Sequence, residues 1–120
     1  MSDVRGLGLD LFEIKRADAL LDNAHFLSRC FTPEEIAYIR SRGASSAQTL
    51  AGLYAAKEAI VKALGCGIAF PLTDICITHS ELGQPLVSLS GKATAYGGRF
   101  LLTITHDAGV AAATALWMAE

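Results

Sequence analysis

Three polar side chains stand on stretches that are otherwise apolar. Asp10 follows Gly6-Leu7-Gly8-Leu9, Glu58 lies inside the alanine-rich run 49–64, and His106 ends the run Phe100-Leu101-Leu102-Thr103-Ile104-Thr105. Two carboxylates, solvent and a polyphosphate make an oxygen shell suited to Mg²⁺, which takes few protein ligands and keeps waters. Lys62 lies one helical turn beyond Glu58, in a position to neutralise a phosphate, and Lys57 offers a second cation. Spacing alone leaves blander readings open. Glu58 and Lys62 read equally as a buried ion pair, Asp10 as a strand end or helix cap, and His106 as a core histidine satisfied by a hydrogen bond.

The elements that must position these groups are legible from pattern. Residues 49–64 read as a long helix ending at Gly65 and Gly67, with Leu50, Leu53, Tyr54, Ile60, Val61 and Leu64 on one face and mostly alanine and glycine on the other. A helix apolar nearly all round is buried, so Lys57, Glu58 and Lys62 need a reason to be there. Residues 5–12 alternate as a strand, with Leu7, Leu9 and Leu11 on one face and Gly6, Gly8 and Asp10 on the other. Glycines on the Asp10 face let another backbone or a ligand come close. Residues 13–31 suggest one or two short helices, with Ala19, Leu20 and Leu21 as the buried part.

Thr32-Pro33-Glu34-Glu35 predicts a capped helix to about Arg42, stopped by Gly43. Ser45 and Gln48 predict a second capping box opening the long helix. Residues 74–79 and 86–89 form one hairpin, 91–98 a short helical excursion, and 100–106 with 110–117 a second hairpin. The order of elements argues for an α+β fold with an antiparallel sheet wrapped on the long helix.

At 120 residues the chain suits one domain, 1–120. Its 52% apolar content excludes disorder and exceeds what a small monomer readily hides, pointing to an oligomer. A net charge of −2 gives no electrostatic footprint for nucleic acid. Three widely spaced cysteines support neither a disulfide framework nor a zinc site, so reduced thiols in the cytoplasm are expected. No leader-like apolar run opens the chain and none approaches a membrane span.

Gly6-Leu7-Gly8-Leu9-Asp10, Glu13-Ile14-Lys15-Arg16, Phe31-Thr32-Pro33-Glu34-Glu35, Ala55-Ala56-Lys57-Glu58-Ala59 with Lys62, Gly65-Cys66-Gly67-Ile68 and Thr103-Ile104-Thr105-His106 resemble, in order and across nearly the whole chain, the holo-acyl-carrier-protein synthases. These are small bacterial 4'-phosphopantetheinyl transferases. The resemblance implies Mg²⁺-dependent transfer of 4'-phosphopantetheine from coenzyme A to a serine of an apo acyl carrier protein, releasing adenosine 3',5'-bisphosphate. It implies Asp10 and Glu58 as metal ligands and Asp10, Glu58 and Lys62 as the catalytic set, with Glu58 the base for the serine proton. Lys57, Lys62, Gly65, Gly67 and His106 would bind coenzyme A, and Arg16 would dock the acidic carrier, with Arg29 and Arg40 as further cations. It further implies a homotrimer with coenzyme A in clefts between subunits, and neither nucleic acid nor a membrane as partner.

Three positions depart from the family pattern: Leu53 stands where arginine is common, Gln84 where lysine is common and Cys66 where threonine is frequent. The two lost charges bear on affinity more than on the metal site. They keep open a non-catalytic oligomeric module that binds coenzyme A or carrier, while the same oxygen ligands leave, more weakly, a metal-dependent phosphohydrolase.

Overall fold

Alternation of leucine with glycine and aspartate builds the first strand, β1 (Val4–Glu13). The computed structural model describes residues 3–120, so residues 1 and 2 of the N-terminal stretch read above for a leader lie outside it. After β1 come α1 (Ile14–Leu20), α2 (Ala24–Cys30), α3 (Pro33–Ser41), α4 (Ser46–Leu64), β2 (Ile75–His79), β3 (Pro85–Leu89), β4 (Arg99–Asp107) and β5 (Val110–Met118). Short 3₁₀ turns stand at Gly43–Ser45, Leu72–Asp74 and Gly91–Tyr96.

The fold is α+β with antiparallel pairing, but the strands form two sheets. One has the order β1-β5-β4; the other is the β2-β3 hairpin. In the larger sheet Asp10 stands opposite Ala113, which stands opposite Ile104.

Helix α4 lies directly on this sheet because the contacting residues are nearly bare backbone. A Cβ on Gly6 or Gly8 would be driven into the carbonyl oxygens of Ala63 and Ala59. Glycine on the strand and alanine on the helix therefore permit the close approach, which brings the Asp10 face of β1 against α4. Leu7, Leu9 and Leu11 point away and are each more than half exposed.

Eleven residues of α4 are buried, including both alanine-rich and leucine-rich positions. The helix begins at Ser46 with Ser45 at the cap position, as expected, but Ser45 makes no side-chain cap. Ser46 instead bonds back to the carbonyl of Ile39, and Gln48 points to His106. The Thr32–Glu35 capping box forms, Gly43 adopts φ +57°, and α4 stops at left-handed Gly65 with φ +69°. In the region 13–31 the buried positions are Ala17, Leu27 and Cys30, whereas Ala19 is exposed. There the short helices are held by contacts with α4 that local pattern does not encode.

Candidate active site

Lys62 donates to Asp10 Oδ1 at 3.1 Å and to the Leu9 carbonyl at 3.1 Å. The Lys62 side chain is 57% exposed and that of Asp10 18%, so the pair opens to solvent. Glu58 stands one turn before Lys62 on the same helical face and is half-buried. The buried Glu58–Lys62 pair left open by spacing is not what forms: Lys62 reaches across to β1.

Tyr54 stands one turn before Glu58 on α4, near enough for the carboxylate to act on its phenol. The Tyr54 ring is held between Phe12, with centroids 4.9 Å apart, and Phe26, at 5.6 Å. Burial first, and the neighbouring Glu58 carboxylate second, push the Tyr54 phenol up to about 12. Tyr54 thus stays protonated at neutral pH. Its periodicity places it only on an apolar face, and its four-residue spacing from Glu58 is the signal for the pairing.

A cavity of about 430 Å³ opens beside Glu58, lined among others by Arg29, Cys30, Tyr54, Gly67, Phe70 and Leu72. Burial pushes the Cys30 thiol up, which keeps it protonated and unreactive. Gly65 and Gly67 both take positive φ and face open space, and Gly67 reaches the cavity.

Lys57 is elsewhere. It is completely buried, and its ammonium donates to Glu35 Oε1 at 2.5 Å, the Cys30 carbonyl at 2.8 Å and the Leu72 carbonyl at 3.1 Å. An ammonium has three protons, and all are used. Its expected place as a coenzyme contact is therefore corrected: no proton remains for a phosphate. Burial pushes Lys57 down, against the opposing pull of the Glu35 carboxylate.

His106 is exposed at the end of β4, and its Nε2 lies 2.9 Å from Gln48 Nε2. It is not a core histidine. Gln48 and Glu58 are nearly three turns apart on α4, about 15 Å along its axis, so one chain does not bring His106 to the carboxylates. His106 lines a second cavity, of about 260 Å³, with Gln48, Leu53, Tyr38 and His79. Leu53 is 2% exposed. The His79 ring stacks on Tyr38 at 4.4 Å, and burial, then Arg42, push its pKa down. Gln84 is exposed beside the β2-β3 turn, where its carbonyl accepts from Ser80 N.

Arg16 lies over the Phe12 ring at 4.8 Å, exposed just past β1. Arg29 and Arg40 occupy the last turns of α2 and α3.

Asp10 and Glu58 suit a divalent cation that completes its shell with water and phosphate. Among the described residues no cluster of three or more histidine, cysteine or acidic side chains converges.

The family model described as the 4'-phosphopantetheinyl transferase superfamily matches residues 6–115. A holo-acyl-carrier-protein synthase of Clostridium perfringens is 42% identical over 113 residues, covering 85% of this chain and 84% of the relative. Holo-acyl-carrier-protein synthase of Bacillus anthracis, solved in complex with CoA (3',5'-ADP), superposes with a TM-score of 0.83 at 28% identity and 98% coverage of both chains. That of Helicobacter pylori, solved in complex with coenzyme A, gives a TM-score of 0.81 at 32% identity over 92% of this chain and 98% of the other. A family match over residues 6–115, with a relative 42% identical over most of both chains, places this protein among the holo-acyl-carrier-protein synthases of the 4'-phosphopantetheinyl transferase superfamily.

Proposed function

We propose that this enzyme transfers 4'-phosphopantetheine from coenzyme A to a serine hydroxyl of an apo acyl carrier protein, releasing adenosine 3',5'-bisphosphate. The observation that carries the reading is the meeting of Asp10 and Lys62 across the β1–α4 contact, with Glu58 one turn away. Solved relatives hold coenzyme A on the same fold.

Asp10 and Glu58 would hold Mg²⁺, which when bound offsets the negative charge of the coenzyme A diphosphate. Lys62, mostly exposed, is free to swing from Asp10 to a phosphate oxygen. The carrier serine oxygen forms a bond to the pantetheine-bearing phosphorus as the bond to the bridging oxygen breaks, and the electron pair leaves with the nucleotide bisphosphate. The serine proton goes to Glu58. The protonated Tyr54 phenol beside Glu58 would donate to that carboxylate and orient it, leaving other carboxylate lone pairs for the reaction.

The working unit in this reading is a homotrimer. Leu7, Leu9 and Leu11 on one sheet face, with Leu101 on β4, are 48–65% exposed, a patch that calls for cover. A site between subunits would join one protomer's Asp10, Glu58 and Lys62 to a neighbour's His106, the nucleotide contact. Arg16 is the docking residue for the acidic carrier.

Incubation with coenzyme A, Mg²⁺ and apo carrier protein, followed by intact mass spectrometry, tests the reading. Gain of one phosphopantetheinyl group on the carrier is expected. No gain across several carriers overturns it, and coenzyme A binding without transfer would mark a binding module instead.

A further inference from the structure

The proposed chemistry leaves Lys57 and Glu35 without a part, yet they are the two fully buried charges of the described residues. Their hydrogen bonds use every proton of the ammonium and both oxygens of the carboxylate. Glu35 Oε1 accepts from Lys57 and from Thr32 N at 2.8 Å, and Oε2 accepts from Ile77 N at 2.7 Å. The Lys57 ammonium also lies 5.2 Å from the Phe31 ring.

Such a pair is an expensive way to fill a core. Apolar residues of similar volume in place of both members of a buried ion pair are often neutral or stabilising, whereas removal of one member alone leaves an uncompensated charge. What an apolar pair could not supply is the two remaining donations from Lys57, and these go to defined places. Cys30 is the last residue of α2, where helix carbonyls lack partners, and Leu72 opens the 3₁₀ turn before β2. Both residues line the cavity beside Glu58. One ammonium, rooted in the residue preceding Glu58, therefore ties the α2 wall and the 67–72 wall of that cavity to the helix carrying the carboxylate.

We propose that Lys57 is a positioning residue: it holds the two walls of the Glu58 cavity at the separation that accepts coenzyme A, while Glu35 serves to balance its charge. This rests on the reading of Glu58 as part of the coenzyme A site. It does not make Lys57 a ligand of the coenzyme.

Two variants separate positioning from mere stability. Glu35→Gln keeps Lys57 and its donations to Cys30 and Leu72 but leaves the cation unpaired. Lys57→Met with Glu35→Gln removes both charges and both wall contacts. Coenzyme A affinity with Mg²⁺ is measured by calorimetry, the KM for coenzyme A and kcat by carrier loading, and stability by thermal unfolding. The single variant is expected to melt below the double variant yet bind coenzyme A within about twofold of wild type. The double variant is expected to bind about tenfold or more weakly and to show that loss in KM rather than in kcat. Affinity that follows melting temperature across the three proteins, or wild-type affinity in the double variant, overturns the proposal. If the double variant does not fold cooperatively, the single variant decides, a tenfold loss of affinity there overturning it. Wild-type protein that binds no coenzyme A at all would instead sink the functional reading beneath it.

Discussion

Lys57 and Lys62 lie on one helix, five positions apart, and do opposite things. Five positions turn about 140° around the axis, so one points into the protein and the other to its rim. Lys57 meets a carboxylate and two carbonyls at no exposure, while Lys62 meets Asp10 and one carbonyl with more than half its side chain in solvent. A lysine whose every proton is taken by the protein has spent its charge on architecture. One that shares its charge with a single partly exposed carboxylate can give it to an incoming anion at little cost, because such exposed pairs contribute only about 0–1 kcal/mol. The same residue type, in the same helix, becomes scaffold or reagent according to what packs against it.

That contrast can be broken at several points. The largest effect belongs to Glu58, on the open side. Glu58→Ala should lower the rate of carrier loading by about 10²–10⁴-fold and leave the protein folded in its wild-type assembly state, since it removes a half-buried carboxylate and no core volume. Single-turnover loading with native mass spectrometry checks both halves, and wild-type turnover would refute the assigned role.

Lys57→Met alone should behave as a folding defect, losing about 3–5 kcal/mol because Glu35 is stranded in the core. Urea unfolding reads this directly. A variant as stable as wild type would show that the buried pair is not coupled as its geometry suggests.

Lys62→Met should show the reverse pattern. Transfer falls on the order of 10²-fold with the loss of one positioned charge at the developing anion, while the unfolding midpoint scarcely moves. Equal losses of stability in the Lys57 and Lys62 variants would erase the distinction between them.

The smallest expected effect concerns His79, in the cavity at the other end of α4. It is faced by the stacked Tyr38 ring and by Arg42, and its pKa is lowered by burial first and Arg42 second. The folded protein therefore takes up this proton less readily than the unfolded chain. The contribution is fully present above the unfolded value, about 6.5, and is lost as pH falls from there through the folded value. His79→Phe, which keeps a ring on Tyr38, should lose less stability than wild type between pH 8 and pH 5. Identical pH slopes would count against the assignment.

Much of the scaffold was legible before any tertiary contact was known, and for a common reason. The β1 alternation, the Thr32–Glu35 capping box, the left-handed stops at Gly43 and Gly65 and the two hairpins are each decided by backbone sterics and neighbours within a few residues. The pattern also put Asp10 on the glycine face of β1, and so against whatever came close. It failed where a local rule met a competing distant partner. Gln48, read as half of a capping box, turns to His106, and Ala17 displaces Ala19 to Leu21 as the buried core of α1 because α4 packs on that side.

The sequence by itself determined which groups were out of place on apolar elements, and thus that Asp10, Glu58, Lys62 and His106 required an explanation. Only the tertiary structure decided what each one meets. Periodicity assigns a side chain to a face of its helix or strand, but the partner waiting there comes from elements 22 to 58 residues away. Hence Lys62 pairs with Asp10 rather than Glu58, Lys57 is withdrawn from the site into a buried network, and His106 stands at the far end of α4.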